Sequence, residues 1–310
     1  MFKLFKPKGK DYYDFMKVHK IFFAISLCAI FISIGSFFIN KLNFGVDFTG
    51  GLLFDITVKD NSDIAKLRND FLKHNFNDFN VQSYGNDGFI IRVSEQEINK
   101  QAEKELSHSE SIQMVKNLIN SSFNNEVKYN KIDFVGPQVG KELIIKGLVA
   151  LILSFAVMLV YIGMRFKLEF GIGAVIALIH DAIITFGIYS VFKMDFDLTA
   201  VAAVLTVIGY SVNDKVVIYD RIREFLPKYK NETLVEVINR SLTTTLRRTL
   251  LTSSTTLISL LILSAIGGET LKNFSIIVFL GIVIGTYSSI FISTPILIYI
   301  GADKKKLLES

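Results

Sequence analysis

The stretch GYSVNDKVVIYDRIRE, residues 209–224, follows the apolar run LTAVAAVLTVI (198–208) and sets Asn213, Asp214 and Lys215 side by side before apolar residues resume. The run reads as the body of a membrane span, and ionisable groups at membrane depth are expensive and mark function by default. As a helix over 198–219, the segment aligns Thr206, Tyr210, Asn213, Asp214 and Val217 on one face, because positions three and four apart stack. Val201, Val204, Leu205 and Ile208 cover the rest. Asp214 then lies about one and a half turns from the inner end of the helix. Lys215 points about 100° away, and its long stem is expected to carry the amine to the inner headgroups rather than to Asp214.

The surrounding chain has the same membrane character. Half of its 310 residues are hydrophobic, and they come in long blocks. A bilayer core takes about 20 apolar residues as helix, which places spans at 21–39, 143–163, 170–192, 198–219, 250–266 and 275–299. The net charge of +5 could suggest nucleic acid. The basic residues sit beside the apolar blocks, however, the pattern that orients membrane helices, so the partner indicated is lipid and no nucleic acid is expected. The single cysteine, Cys28, lies in the first block and forms no internal disulfide.

The first block has a basic leader (Lys3, Lys6, Lys8, Lys10, Lys17, Lys20) but exceeds a signal-peptide core of about 7–15 residues and lacks a small-x-small cleavage site, so it reads as an uncleaved anchor. Six spans put both termini on one side. With that side cytoplasmic, the inner segments hold the leader, Arg165, Lys167, Arg221, Arg223, Lys228, Lys230, Arg240, Arg247, Arg248 and Lys304 to Lys306. The outer loops hold Lys193 and Lys272. That asymmetry orients the protein. The expected plan is a cytoplasmic basic N-terminus (1–20), a first transmembrane helix (21–39), an outer domain (40–142), a five-helix bundle (143–299) with a cytoplasmic loop at 220–249, and a cytoplasmic tail (300–310).

The outer domain reads as strand 52–58, helix 62–74, strand 79–84, strand 88–94, helix about 99–122 and strand 127–135. Ser62 is the expected N-cap of the first helix, and Asn86-Asp87-Gly88 supplies turn chemistry between the middle strands. The order β-α-β-β-α-β is the split βαβ, ferredoxin-like arrangement. His74 and His108 read as solvated surface residues, and no metal-ligand cluster, nucleophile–base pair or phosphate loop is present. Neither metal nor cofactor is expected. The glycine-rich NFGVDFTGG (43–51) and VGPQVG (135–140) bracket the domain as tight turns, with Asp47 favoured as a turn-stabilising side chain over a transport residue.

Asp214 calls for a partner, and the fifth span offers one. It opens TTTLRRTLLTSSTTLISLL, with Arg248, Thr252, Thr255 and Ser259 at i, i+4, i+7 and i+11, a polar stripe on an apolar helix. Such a stripe serves as interhelical glue, or, with an arginine at its inner end and a carboxylate at similar depth, as a hydrated proton or cation path. Arginine does not deprotonate and lowers a carboxylate's pKa when near, which makes Asp214 a switchable proton carrier. Arg247 reads as an inner-face anchor. In the third span His180, Asp181 and Thr185 form either a mutually satisfied buried group or a second relay element.

At these residues the chain resembles the SecF family, the smaller membrane subunit of the SecD–SecF protein-export complex, within the resistance–nodulation–division superfamily. The matching blocks are NFGVDFTGG, VGPQVG, RFKLEFGIGAVIALIHD (165–181), TAVAAVLTVIGYSVNDKVVIYDRIRE (199–224) and NRSLTTTLRRTLLTSSTTL (239–257), in order over nearly the whole chain. The resemblance implies that Asp214 and Arg248 match the family's membrane charge pair, with Asn213 beside them. It also implies coupling of proton flow to an outer domain, and as partners SecD, the SecYEG translocon, YajC and an unfolded exported polypeptide. The sequence departs at Lys215, where the family commonly has Thr. No six-span block repeats, so a separate subunit rather than a fused chain is expected.

The expected fold class is thus an α-helical polytopic membrane protein of six transmembrane helices with one extracytoplasmic α+β ferredoxin-like domain, in the cell inner membrane. The expected function is non-enzymatic: use of the proton motive force, with SecD, to promote protein export. A small-molecule proton antiporter is the first alternative, although such chains usually carry two large outer domains. A structural scaffold, with the charges as packing glue, is the second.

Overall fold

A computed structural model describes residues 11–58, 64–77, 79–84, 87–102, 106–123, 127–267, 269–301 and 307. In chain order these form helix α1 (His19–Asn40), strand β1 (Gly51–Val58), α2 (Ile64–Lys73), β2 (Phe79–Tyr84), β3 (Gly88–Val93), α3 (Glu95–Ala102), α4 (His108–Ser122) and β4 (Val127–Val135). The later helices are α5 (Pro137–Arg165), α6 (Leu168–Val191), α7 (Leu198–Lys228), α8 (Leu234–Ile266), α9 (Glu269–Ser288) and α10 (Thr294–Tyr299), the last two joined by a π turn at Ser289–Ser293. The chain divides into two compact units, Phe44–Val149 and the remainder.

In the smaller unit four antiparallel strands lie in the order β2-β3-β1-β4. Phe54 on the central β1 faces Ile91 of β3 on one side and Ile132 of β4 on the other. Leu52, Phe54, Ile56 and Val58 alternate along β1 and are all buried, the period of two that sends one face of a strand into a core. Leu67 and Phe71 of α2, Ile98 of α3, and Val115 and Ile119 of α4 cover that face. The single helix expected at about 99–122 is two helices. Ser107 starts the second by accepting from the Glu110 backbone N–H, while Glu110 reaches back to the Ser107 N–H, a capping box. Ser62 and Asn86 lie outside the described residues. Gly50 and Gly51 have φ of 72° and 130°, and a Cβ on Gly51 would collide with the Val93 carbonyl. Both positions therefore require glycine.

Among the described residues six helices are long and apolar enough to cross a membrane: His19–Asn40, Gln138–Arg165, Leu168–Val191, Leu198–Lys228, Leu234–Ile266 and Leu271–Tyr299. The second of them begins in the smaller unit. The 220–249 region, expected as a loop, is helical except for a short connection after Lys228. Charged residues end the apolar pattern near residue 219 without ending the helix, which Thr233 restarts through a capping box with Glu236.

Small residues let these helices approach closely, as membrane packing favours. A Cβ on Gly187 would overlap Ser33 of α1, and one on Gly285 would lie 3.0 Å from the Ser211 Cβ. At the other end of the bundle, residues 11–17 lie against α8. Tyr13 N donates to Thr243 Oγ1 (2.9 Å), Met16 N donates to Asn239 Oδ1 (3.1 Å), and Asn239 Nδ2 donates to Asp14 Oδ1 (2.9 Å).

Candidate functional site

Of the buried carboxylates of the helical unit, Asp181, Asp195 and Asp214, the two that lie within helices, Asp181 and Asp214, have different surroundings. Asp181, on α6, is 0% exposed. Its Oδ1 lies 2.8 Å from His180 Nδ1, and its Oδ2 accepts from Lys215 Nζ (2.9 Å), Ser211 Oγ (2.5 Å) and Ser288 Oγ (2.8 Å). The close approach of α9 to α7 at Gly285 and Ser211 brings Ser288 within reach. His180 Nε2 in turn meets Ser26 of α1 at 3.0 Å.

Lys215 is 1% exposed and does not reach toward headgroups. That expectation is corrected by the neighbouring helices: the ammonium meets Asp181 of α6, Ser211 of its own helix and Ser288 of α9, and these bonds hold it inside the bundle.

Asp214, the preceding residue, faces another way. It is 3% exposed. Among the described residues it makes no ion pair, and it accepts a single long hydrogen bond, from Thr286 Oγ1 at 3.4 Å. Thr286 Oγ1 lies 2.9 Å from Ser253 Oγ, which accepts from Tyr210 Oη at 3.5 Å. A row of hydroxyls thus ends at the carboxylate.

Arg248 does not bond Asp214 directly. It is exposed on α8 and, with Asn213, Asp220, Arg221, Glu224 and Thr244, lines an open cavity of about 370 Å³ that Asp214 itself does not line. The expected stripe also turns outward. Thr252, Thr255 and Ser259 are exposed and donate to the carbonyls of Arg248, Leu251 and Thr255, four residues back. Thr206 does the same toward Ala202. The buried hydroxyl row of α8 is Ser241, Thr245, Thr249 and Ser253. Its spacing of four was legible in the sequence, whereas the choice between two adjacent polar faces was not.

Among the described residues no group of three or more His, Cys, Asp or Glu side chains could hold a metal ion. His74 and His108 are exposed; the His108 ring packs 3.9 Å from that of Phe134.

Comparison with known proteins adds to this geometry. The family described as protein export membrane protein SecD/SecF, C-terminal, matches residues 114–303, and the SecD/SecF GG motif matches residues 35–61. Protein translocase subunit SecF of Rickettsia rickettsii (strain Sheila Smith) is 43% identical over 300 residues, 96% of this chain and 95% of that protein. The subunit of the same name from Rickettsia akari (strain Hartford) is 44% identical over 289 residues, 92% of this chain and 91% of that protein. Among solved structures, SecDF from Thermus thermophilus, described as a translocon-associated membrane protein, superposes with a TM-score of 0.83 at 29% identity. That match covers 96% of this chain and 40% of the solved one.

Proposed function

The chain belongs to the SecD/SecF family of protein export membrane proteins, and from that membership we propose that it acts in Sec-dependent export as a SecF-type subunit, using the proton motive force with SecD. It is a multi-pass membrane protein. In this reading it lies in the cell inner membrane with residues 1–20 and 300–310 cytoplasmic. Residues 40–142 then form a periplasmic ferredoxin-like domain, a reading supported by the antiparallel β2-β3-β1-β4 order with helices on one face. The protein is a mechanical subunit and not an enzyme.

The observation that carries the reading is Asp214, an acid buried mid-helix that holds no cation and accepts one long bond. Such a carboxyl can gain or lose a proton without breaking an ion pair. The Tyr210–Ser253–Thr286 row ends at it, and Asn213, the residue before it, lines a cavity together with Arg248. Arg248 sets the potential of that cavity, and Asn213 offers polar contact at its wall. Of the two readings open for His180 and Asp181, the bonds favour the mutually satisfied group.

Asn213, Arg248, Thr252, Thr255 and Ser259 together form an exposed polar face at membrane depth. Lipid contact there is costly, which supports cover by SecD helices. The SecYEG translocon, YajC and the exported polypeptide complete the proposed partners, the last meeting an edge or flank of the outer sheet. Affinity purification of the tagged chain from native membranes tests the assembly. Recovery of SecD and the translocon is expected; recovery of neither returns the antiporter and the scaffold as readings.

A further inference from the structure

Asp214 and Lys215 are consecutive residues with opposite hydrogen-bonding circumstances. An ammonium has three N–H donors, and Lys215 has three acceptors: Asp181 Oδ2 at 2.9 Å, Ser288 Oγ at 3.2 Å, and Ser211 Oγ. With hydrogen on His180 Nδ1, Asp181 receives four donors, from His180, Lys215, Ser211 and Ser288. Three of these converge on Oδ2 and saturate it, while His180 takes Oδ1. Protonating Asp181 would strip a buried ammonium of its counter-charge and leave an uncompensated buried ion, which is strongly unfavourable. Tyr287 of α9 faces the same cluster through Ser26, at 2.5 Å, and adds no charge there while its phenol is neutral. Asp214 has a single donor at 3.4 Å and open sites for a proton.

We propose that Lys215 is a tethered cation that keeps Asp181 permanently ionised, so that Asp214 is the one carboxylate of the two that takes up and releases a proton. The same bonds join α7 to α6 and α9. Lys215 acts on transport through the charge of Asp181, without carrying the proton. The inference rests on the exchange role proposed for Asp214.

The test uses a hydrophobic carbodiimide, dicyclohexylcarbodiimide, which adds to protonated carboxyl groups in apolar surroundings. Membranes containing the full complex are treated, and adducts are assigned to peptides by mass spectrometry. The expected result is an adduct on Asp214 and none on Asp181 in the unaltered chain, with an adduct appearing on Asp181 in Lys215→Met. The doubly neutral Asp181→Asn/Lys215→Met chain keeps the helices in register without a buried charge, and is expected to assemble and retain gradient-stimulated export. An adduct on Asp181 in the unaltered chain overturns the proposal, as does its absence from both chains. Loss of gradient stimulation in an assembled double variant overturns it too. Failure of the underlying reading looks different: no adduct on Asp214, and normal export by Asp214→Asn.

Discussion

Ser253 Oγ of α8 and Thr286 Oγ1 of α9 lie 2.9 Å apart, and Thr286 is the residue that donates to Asp214. Each hydroxyl has one hydrogen to give. With Thr286 donating to Asp214, Ser253 donates to Thr286 and Tyr210 to Ser253, so the row points at the carboxylate. Thr286→Val keeps the shape and removes the hydroxyl. The complex should assemble with gradient-stimulated export lowered on the order of tenfold, the factor equivalent to about 1.4 kcal/mol, roughly one net hydrogen bond. Thr286→Ser should restore it. Export at the normal rate by Thr286→Val would remove the hydroxyl row from the proton route.

The smaller unit has its own core, so residues 44–136 expressed alone should show mixed α/β circular dichroism and melt cooperatively. Phe54 is fully buried at the centre of β1, between β3 and β4. Phe54→Ala should cost about 3–5 kcal/mol, the usual range for emptying a buried aromatic site, read as a shift in the denaturant midpoint. A fragment without a cooperative transition contradicts an independent domain.

On α8, Asn239 is the residue that both accepts from Met16 N and donates to Asp14. Asn239→Ala removes both bonds and should cost about 1–3 kcal/mol locally. In inside-out vesicles the expected readout is faster proteolysis in residues 11–17. Unchanged cleavage would show that the buried Phe15 and Met16 side chains hold the segment by themselves.

The membrane orientation is checked by cysteine labelling in a Cys28→Ser background. Ser83→Cys should react from the outer face of intact cells, and Lys230→Cys after permeabilisation. Labelling of Lys230→Cys in intact cells inverts the proposed topology.

Much of the architecture was legible because it depends on local pattern. Six apolar blocks gave six membrane-length helices, and the period of two in 52–58 gave β1 with Leu52, Phe54 and Ile56 on its core side. Helix ends were less legible, since Asp220, Arg221 and Arg223 interrupt hydrophobicity but not the helix, which runs to Lys228. The break at Ser107 carried a readable capping box that a single long helix ignores. The charge pairing depended on contacts distant in sequence. Lys215 meets Asp181 across 34 residues and Ser288 across 73, and no spacing along α7 announces either. The stripe at Thr252, Thr255 and Ser259 was legible as a stripe. Its outward direction was not, because hydroxyls that bond their own helix carbonyls look the same in sequence as hydroxyls that bridge helices.

The most direct measurement is export in a strain depleted of its native SecF-type subunit and complemented with Asp214→Asn, with and without the proton gradient, alongside co-purification of SecD. The amide keeps the size of the side chain and can still accept from Thr286, but it does not carry an exchangeable carboxyl proton. The expected result is an assembled complex that recovers SecD normally and exports at the rate seen without a gradient, whether or not one is applied. An assembled Asp214→Asn complex that exports at the full gradient-stimulated rate would contradict proton exchange at Asp214 and leave the buried charges as structural elements of the bundle.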